Sequence, residues 1–259
     1  MFGKKLDNEI TWWSTVQGLE KIVPIEPATK HIPQWFKDTP RWTFNTEKKD
    51  IFDKDKDPTV KSCPSFADFH RLGYVMKMWC DSKLTTWYED GIIQYKWETP
   101  NNELEWHFHG ANQYIDNLPE HAKEQFKFVW KTGCPWRVKT PPGVSMIQMP
   151  MYYEYSPDFE VLPGIIDTDF HFELNQQVVV KRLGEIMIPR GTPLCMYIPI
   201  RREEYKTTIT DETEELKKQR RISELNIFTR FNGLFGSYRE TQQNMRNEGK
   251  YKCPINHKK

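Results

Sequence analysis

No stretch of this chain approaches the roughly 18 continuous apolar residues that a membrane-spanning helix needs. The opening MFGKKLDNEITWW also lacks the apolar core of a secretory leader. A protein that stays in the cytoplasm where it is made is expected, with no membrane among its partners. Cysteine is scarce: Cys63, Cys80, Cys134, Cys195 and Cys253 are widely spaced, odd in number and without a CxxC pair. That excludes a disulfide framework and a zinc knuckle and leaves reduced thiols. An excess of one charge is missing too. Lys and Arg number 37 against 36 Asp and Glu, which argues against a surface built to hold nucleic acid or anionic lipid. Internal repeats, low-complexity tracts, a GxSxG elbow, a glycine-rich phosphate loop, HExxH and a dinucleotide fingerprint are all absent.

Aromatic residues are plentiful instead. They make up 14% of the chain, with 10 Trp, although the hydrophobic fraction is only 37%, so large rings must supply much of the buried area. A length of 259 residues suits one all-β domain with extensions. Residues 1–58 read as an extended arm in which Pro24, Pro27, Pro33 and Pro40 alternate with Trp12, Trp13, Trp35, Phe36 and Trp42, followed by the charged loop EKKDIFDKDKDP. Proline blocks regular ladder pairing, so the arm is expected to lie over a sheet and dock its rings on its own domain or a neighbour's.

Residues 59–205 show short β-type runs punctuated by turn residues: TVKSCPSF, GYVMKMWCD, KLTTWYED and GIIQYKWET, then, after a histidine-rich loop, QFKFVWK, WRVKTPPG, VSMIQMP, FEVLPG, QVVVKRL, EIMIPRGTP and LCMYIPI. Asp90-Gly91 is a two-residue hairpin signal. The spacing predicts a mainly β fold, an antiparallel jelly roll or double-stranded β-helix-like sandwich. Residues 206–259 change period: TDETEELKKQRRISELNIFTRF predicts one capped C-terminal α-helix, then a basic tail that includes Lys250, Lys252, Lys258 and Lys259.

The sharpest chemical cluster is Trp106-His107-Phe108-His109, with Gln113 and Tyr114 following. Residues two apart on a strand share a face, so His107 and His109 can offer imidazole nitrogens to one metal ion. The HxH pair is similar to the opening of the cupin metal motif, and Pro189-Arg190-Gly191 matches that family's P-x-G element. This chain departs from the cupin pattern at two ligands: Gln113 stands near the place of the Glu, and Leu194 that of the last His. Asp167, Asp169 and His171 in IIDTDFHF are substitutes that would give a two-His-one-carboxylate set of the non-haem iron type. Fe(II) or another divalent metal on His107, His109, Asp169 and His171 is therefore the alternative to a fold with no cofactor and hydrogen-bonded structural histidines. For ligand binding, Trp106, His109, Gln113 and Tyr114 are expected at one loop, with Asp169 and Arg190 across a barrel mouth.

The strand block WRVKTPPGVSMIQMP, FEVLPGIIDTDF, IMIPRGTPLCMYIPIRREEY resembles an uncharacterised family encoded by marine contractile-tailed phages, notably cyanophages, with more distant relatives in bacteria. TVKSCPSFADFHRLGYVMKMWCD fits the same family, so the likeness covers most of residues 10–205. One departure follows Asp169, where Leu174-Asn175-Gln176-Gln177-Val178 replaces a segment of Pro-Asn-Phe-Pro-Phe type. The resemblance implies a phage source, a β-sandwich and a domain of unknown function. The plentiful aromatics, the missing catalytic motifs and the recurrence of jelly rolls in viral and lectin roles point to a binding role: a virion-associated or assembly component that partners itself or other virion proteins, or a module for a small molecule or sugar, expected in the host cytoplasm or the virion. The rival is a cupin-like or 2-oxoglutarate-type non-haem iron oxygenase using His107, His109 and a nearby carboxylate.

Overall fold

The computed structural model describes residues 8–44, 56–100, 106–228, 240–245 and 247. The chain forms two compact units, one of Met1–His31 and Gly73–Arg202, the other of Ile32–Leu72 and Glu203–Lys259. A boundary read from composition at 58/59 thus falls inside the second unit. No helix among the described residues is long and apolar enough to cross a membrane.

The N-terminal arm does more than lie over a sheet, because it contributes a strand to each of two sheets of the first unit. Strand β1 (Thr11–Ser14) pairs antiparallel with residues 136–139, Trp12 opposite Val138. This sets the Trp12 ring 5.9 Å from Tyr74 and 5.8 Å from Tyr197. Helix α1 (Leu19–Ile22) is a single turn, and Pro24 and Pro27 then limit β2 (Glu26–Pro27) to two residues, since proline has no N–H to give a ladder.

In the second unit, helices α2 (Gln34–Asp38) and α3 (Pro64–Phe69) meet through Phe36 and Phe66, stacked at 4.1 Å. Strand β3 (Trp42–Phe44) pairs with β4 (Lys56–Pro58); the rest of the expected charged loop, from 47 to 55, lies outside the described residues. TVKSCPSF, expected as a strand, is helical. The Thr59 hydroxyl accepts the Lys61 N–H and opens a 3₁₀ turn, and Pro64 then starts α3 at the position where its missing N–H costs nothing.

The first unit carries the antiparallel sheets that the sequence predicts. They are built from β5 (Tyr74–Lys77), β6 (Ser82–Glu89), β7 (Ile92–Glu98), β8 (Trp106–His109), β9 (Phe128–Lys139) and β10 (Val144–Pro150). The rest are β11 (Phe159–Val161), β12 (Gly164–Ile166), β13 (Glu173–Val180), β14 (Gly184–Ile188) and β15 (Pro193–Arg201), with the one-turn helix α4 (Glu120–Lys123) between β8 and β9. One sheet has the order β1-β9-β13-β11, with β8 also on β9; a second runs β12-β10-β15-β5-β2; a third is β14-β6-β7. Among the described residues the sheets do not close into a barrel. Trp130, Trp136 and Val178 from the first sheet and Met76, Met146 and Tyr197 from the second belong to one buried cluster, so the two face each other across a shared core.

Local chemistry explains two of these strands. Asp90 and Gly91 both have left-handed φ, 50° and 77°, the primed turn whose twist matches a hairpin, and β6 and β7 pair on either side of it. QFKFVWK and WRVKTPPG, expected as two strands, form the single strand β9. Pro135 is tolerated within it because the register against β13 shifts between Glu173 and Asn175, and such an irregularity frees a residue from the ladder.

In the second unit the predicted C-terminal helix is α5 (Glu214–Phe228), and the Thr213 hydroxyl accepts the Leu216 N–H at its start. Within its basic stretch, Arg220 pairs with Glu212 and Glu224. The lysine-rich end lies outside the described residues.

Candidate functional site

Strand β8 puts His107 and His109 on one face and Trp106 and Phe108 on the other, as the alternation requires. The Trp106 ring lies 4.2 Å from Trp97 and 6.3 Å from Trp130, and Phe108 stacks on Tyr95. Trp106, expected to line a ligand site beside His109, is therefore a core aromatic facing the opposite way. Gln113 folds back on the strand, its Oε1 3.0 Å from the Gly110 N–H and 3.1 Å from His109 Nδ1. An amide oxygen only accepts, so His109 Nδ1 is the donor in this contact. Its Nε2 is buried and without a hydrogen-bond partner among the described residues. Tyr114 is half-buried between two 3₁₀ turns.

The carboxylates expected to join these histidines lie elsewhere. His109 stands opposite Val129 at the start of β9, whereas the Thr168 carbonyl accepts the N–H of Thr140, just past its other end. Residues 129 and 140 are eleven apart, on the order of 30 Å at ~3.3 Å per strand residue. A shared metal needs ligand atoms about 2 Å from one ion. His107 and His109 thus share no ion with Asp167, Asp169 or His171, and no group of three or more His, Cys, Asp or Glu among the described residues could hold one. The iron-oxygenase ligand set is corrected accordingly.

Asp167 and Asp169 serve Arg202 instead. Arg202 Nη1 is 2.8 Å from Asp167 Oδ1, and Nη2 pairs with Asp169. The Ser145 hydroxyl donates to Asp167 at 2.6 Å and the Gly143 N–H to Asp169 at 2.9 Å. The Ser145 hydrogen bond, then Arg202, holds the Asp167 carboxyl below its ordinary value; Arg202, then the Gly143 N–H, does so for Asp169. The pair clamps the Pro141-Pro142-Gly143 turn to the end of β15. Arg190 is not across a mouth from Asp169: it is exposed in the turn before β15, its N–H bonded to Asp81, while Arg202 follows that strand's far end. Sequence reading did not identify Arg202, because an arginine after a strand carries no spacing signal.

A chain of buried polar side chains runs through the sandwich interior. The Thr132 hydroxyl donates to Gln176 Oε1 at 2.7 Å, Gln176 Nε2 to the Tyr197 hydroxyl at 2.6 Å, and that hydroxyl to Gln148 Oε1 at 2.8 Å. Gln148 Nε2 ends the chain on the Leu162 carbonyl at 2.8 Å. The relay crosses from one sheet to the other. Beside the relay, burial pushes the Cys134 thiol up to about 12 and that of Cys195 well upward, so neither forms a nucleophilic thiolate near neutral pH.

One open feature of this unit is a cleft of about 200 Å³ at the ends of β10, β11 and β15, walled by Tyr152 and Tyr155 and floored by Phe159 and Leu194. Its polar groups include Glu160 and Lys181, 2.6 Å apart. Sequence reading missed it, because YYEYSP between two strands looks like any polar turn. The chain matches no protein-family model, and a search of curated proteins returns no match.

Proposed function

We propose that the chain works by binding, as a jelly-roll-like component that assembles with further copies of itself and, in a phage, with other virion proteins. One observation carries this reading: the β6–β7 hairpin leaves Trp87 and Ile92 exposed at 42 and 64%. The register sets Trp87 opposite Gln94 and Glu89 opposite Ile92, so Trp87 and Ile92 share the face turned away from Leu84 and Trp97. A hairpin covered on one side needs apolar residues on that side alone. Trp87 and Ile92 together on the other mark a contact surface, and Trp is favoured there.

Two further points support the reading. Strands β9 to β13 alternate between the two facing sheets, the winding expected of a jelly-roll relative. The resemblance of residues 10–205 to a phage family suggests host cytoplasm and virion as its locations. The test is mass in solution by light scattering over a wide concentration range, for the wild type and a Trp87→Ser/Ile92→Ser variant. Association that grows with concentration in the wild type and vanishes in the variant, at unchanged melting temperature, is the expected result. A wild type that stays monomeric throughout sinks self-assembly.

A further inference from the structure

We propose that the tyrosine cleft of the first unit binds a neutral saccharide. No residue of the β6–β7 hairpin lines it, so the inference stands apart from self-assembly. The wall is unusual for a surface turn. Tyr152 and Tyr155 are 59 and 64% exposed, while Tyr153 meets both rings edge-on, at 5.2 Å and 86° and at 6.4 Å and 80°, and props them outward. Tyr155 also holds φ 52° and ψ 41° after a 3₁₀ turn, a left-handed position where glycine or asparagine is the usual occupant. Of the described non-glycine residues only Asp90, inside its hairpin turn, shares a positive φ. A strained backbone that presents an exposed ring points to use of that ring.

The remaining groups fit a sugar's two kinds of surface. A pyranose has C–H faces that lie against aromatic rings and an equator of hydroxyls that both donate and accept. Tyr152, Tyr155 and the Phe159 floor supply rings, and Phe159 is itself fixed against Trp130 at 6.4 Å. Lys181 Nζ, 2.6 Å from Glu160 Oε2 and 3.2 Å from the Ser156 carbonyl, places a donor and a carboxylate acceptor side by side, the spacing that adjacent hydroxyls bridge. A volume near 200 Å³ suits about one sugar ring. Charge narrows the ligand further. Glu154 and Glu160 against Lys181 leave the cleft slightly acidic, which disfavours phosphates and sugar acids. The Lys181 ammonium in the wall opposes a quaternary ammonium that the tyrosines alone would accept.

The probes are methyl glucoside, methyl galactoside, N-acetylglucosamine, maltotriose and cellotriose, with choline and inorganic phosphate as counter-probes, observed by saturation-transfer NMR on the full chain at millimolar ligand. Tyr152→Ala and Tyr155→Gly are the variants: Tyr152 is largely exposed, and glycine accepts the Tyr155 backbone without strain, so both should fold. The expected result is transfer to at least one neutral sugar, weakened about tenfold or more in each variant at unchanged melting temperature. Transfer to choline or phosphate alone, no transfer to any sugar, or sugar binding untouched by both variants overturns the assignment.

Discussion

The hydroxyl of Tyr197 is the middle of a relay whose members Thr132, Gln176, Tyr197 and Gln148 are all buried. Each neighbour relies on it: Gln176 Nε2 has it as an acceptor and Gln148 Oε1 as a donor. Tyr197→Phe keeps the ring and its contact with Trp12 but strands two buried amide groups, which costs about 1–3 kcal/mol. Urea unfolding should show a lower midpoint at unchanged slope, and an unaltered midpoint would show that the amides find other partners. None of this was legible beforehand. Gln148 and Gln176 look like solvent-facing residues of alternating strands, and only the pairing of distant strands turns them inward. The thiols were legible, because Cys134 and Cys195 lie in apolar runs where a buried, unreactive cysteine is the common outcome.

At the scale of elements, β2 is held by two ladder positions, Glu26 opposite Val75 and Pro27 opposite Tyr74. An ion cluster supplements them: Lys77 Nζ is 2.6 Å from Glu26 Oε2, Lys30 Nζ 2.9 Å from Oε1, and His31 Nε2 3.2 Å from Oε2. Lys77, then Lys30, holds the Glu26 carboxyl at about 2, against an ordinary 4.5. A depressed carboxylate contributes stability in full above its unfolded value and loses it as pH falls through the folded one. The docking of β2 should therefore weaken progressively from about pH 4.5 down to about 2. Burial also lowers the His31 imidazole, against the pull of Glu26, so His31 adds a loss of the same sign beginning nearer its ordinary 6.5. Melting temperature followed from pH 7 to 2 should fall less steeply below about pH 4.5 in Glu26→Gln than in the wild type, and parallel curves would rule out this role for Glu26. Legibility at this scale follows range. The Asp90-Gly91 hairpin and the C-terminal helix are local and were readable, although the cap falls on Thr213 rather than on the Thr210-Asp211 pair that opens the run. The helical 60–69 segment was not, since a short β-like run gives way to one proline and one capping hydroxyl. Nor was the distance between the histidines and Asp169, because the register of β8 and of the 164–172 segment on β9 is fixed by contacts far apart in sequence.

For the whole molecule, the edge of β9 turned away from β13 is the place where fold and association meet. Two segments distant in sequence share that edge: β8 pairs with residues 129–132, β1 with 136–139, and the Thr15 N–H reaches the Pro135 carbonyl between them at 2.8 Å. An uncovered strand of this length would offer its N–H and C=O groups to another chain, and a formal charge of +1 provides little repulsion to prevent it. Removing residues 1–16 takes away β1 and pulls Trp12 from between Tyr74 and Tyr197. The loss should be about 1.5–3 kcal/mol for the half-buried ring alone, with a lower melting temperature and irreversible aggregation that grows with concentration. Making the same truncation in the Trp87→Ser/Ile92→Ser background separates the causes: aggregation through the bare β9 edge persists there, whereas association through the hairpin does not. A truncated chain that melts like the full one and stays monodisperse would mean that β1 is ornamental to the sheet and that β8 alone protects its edge.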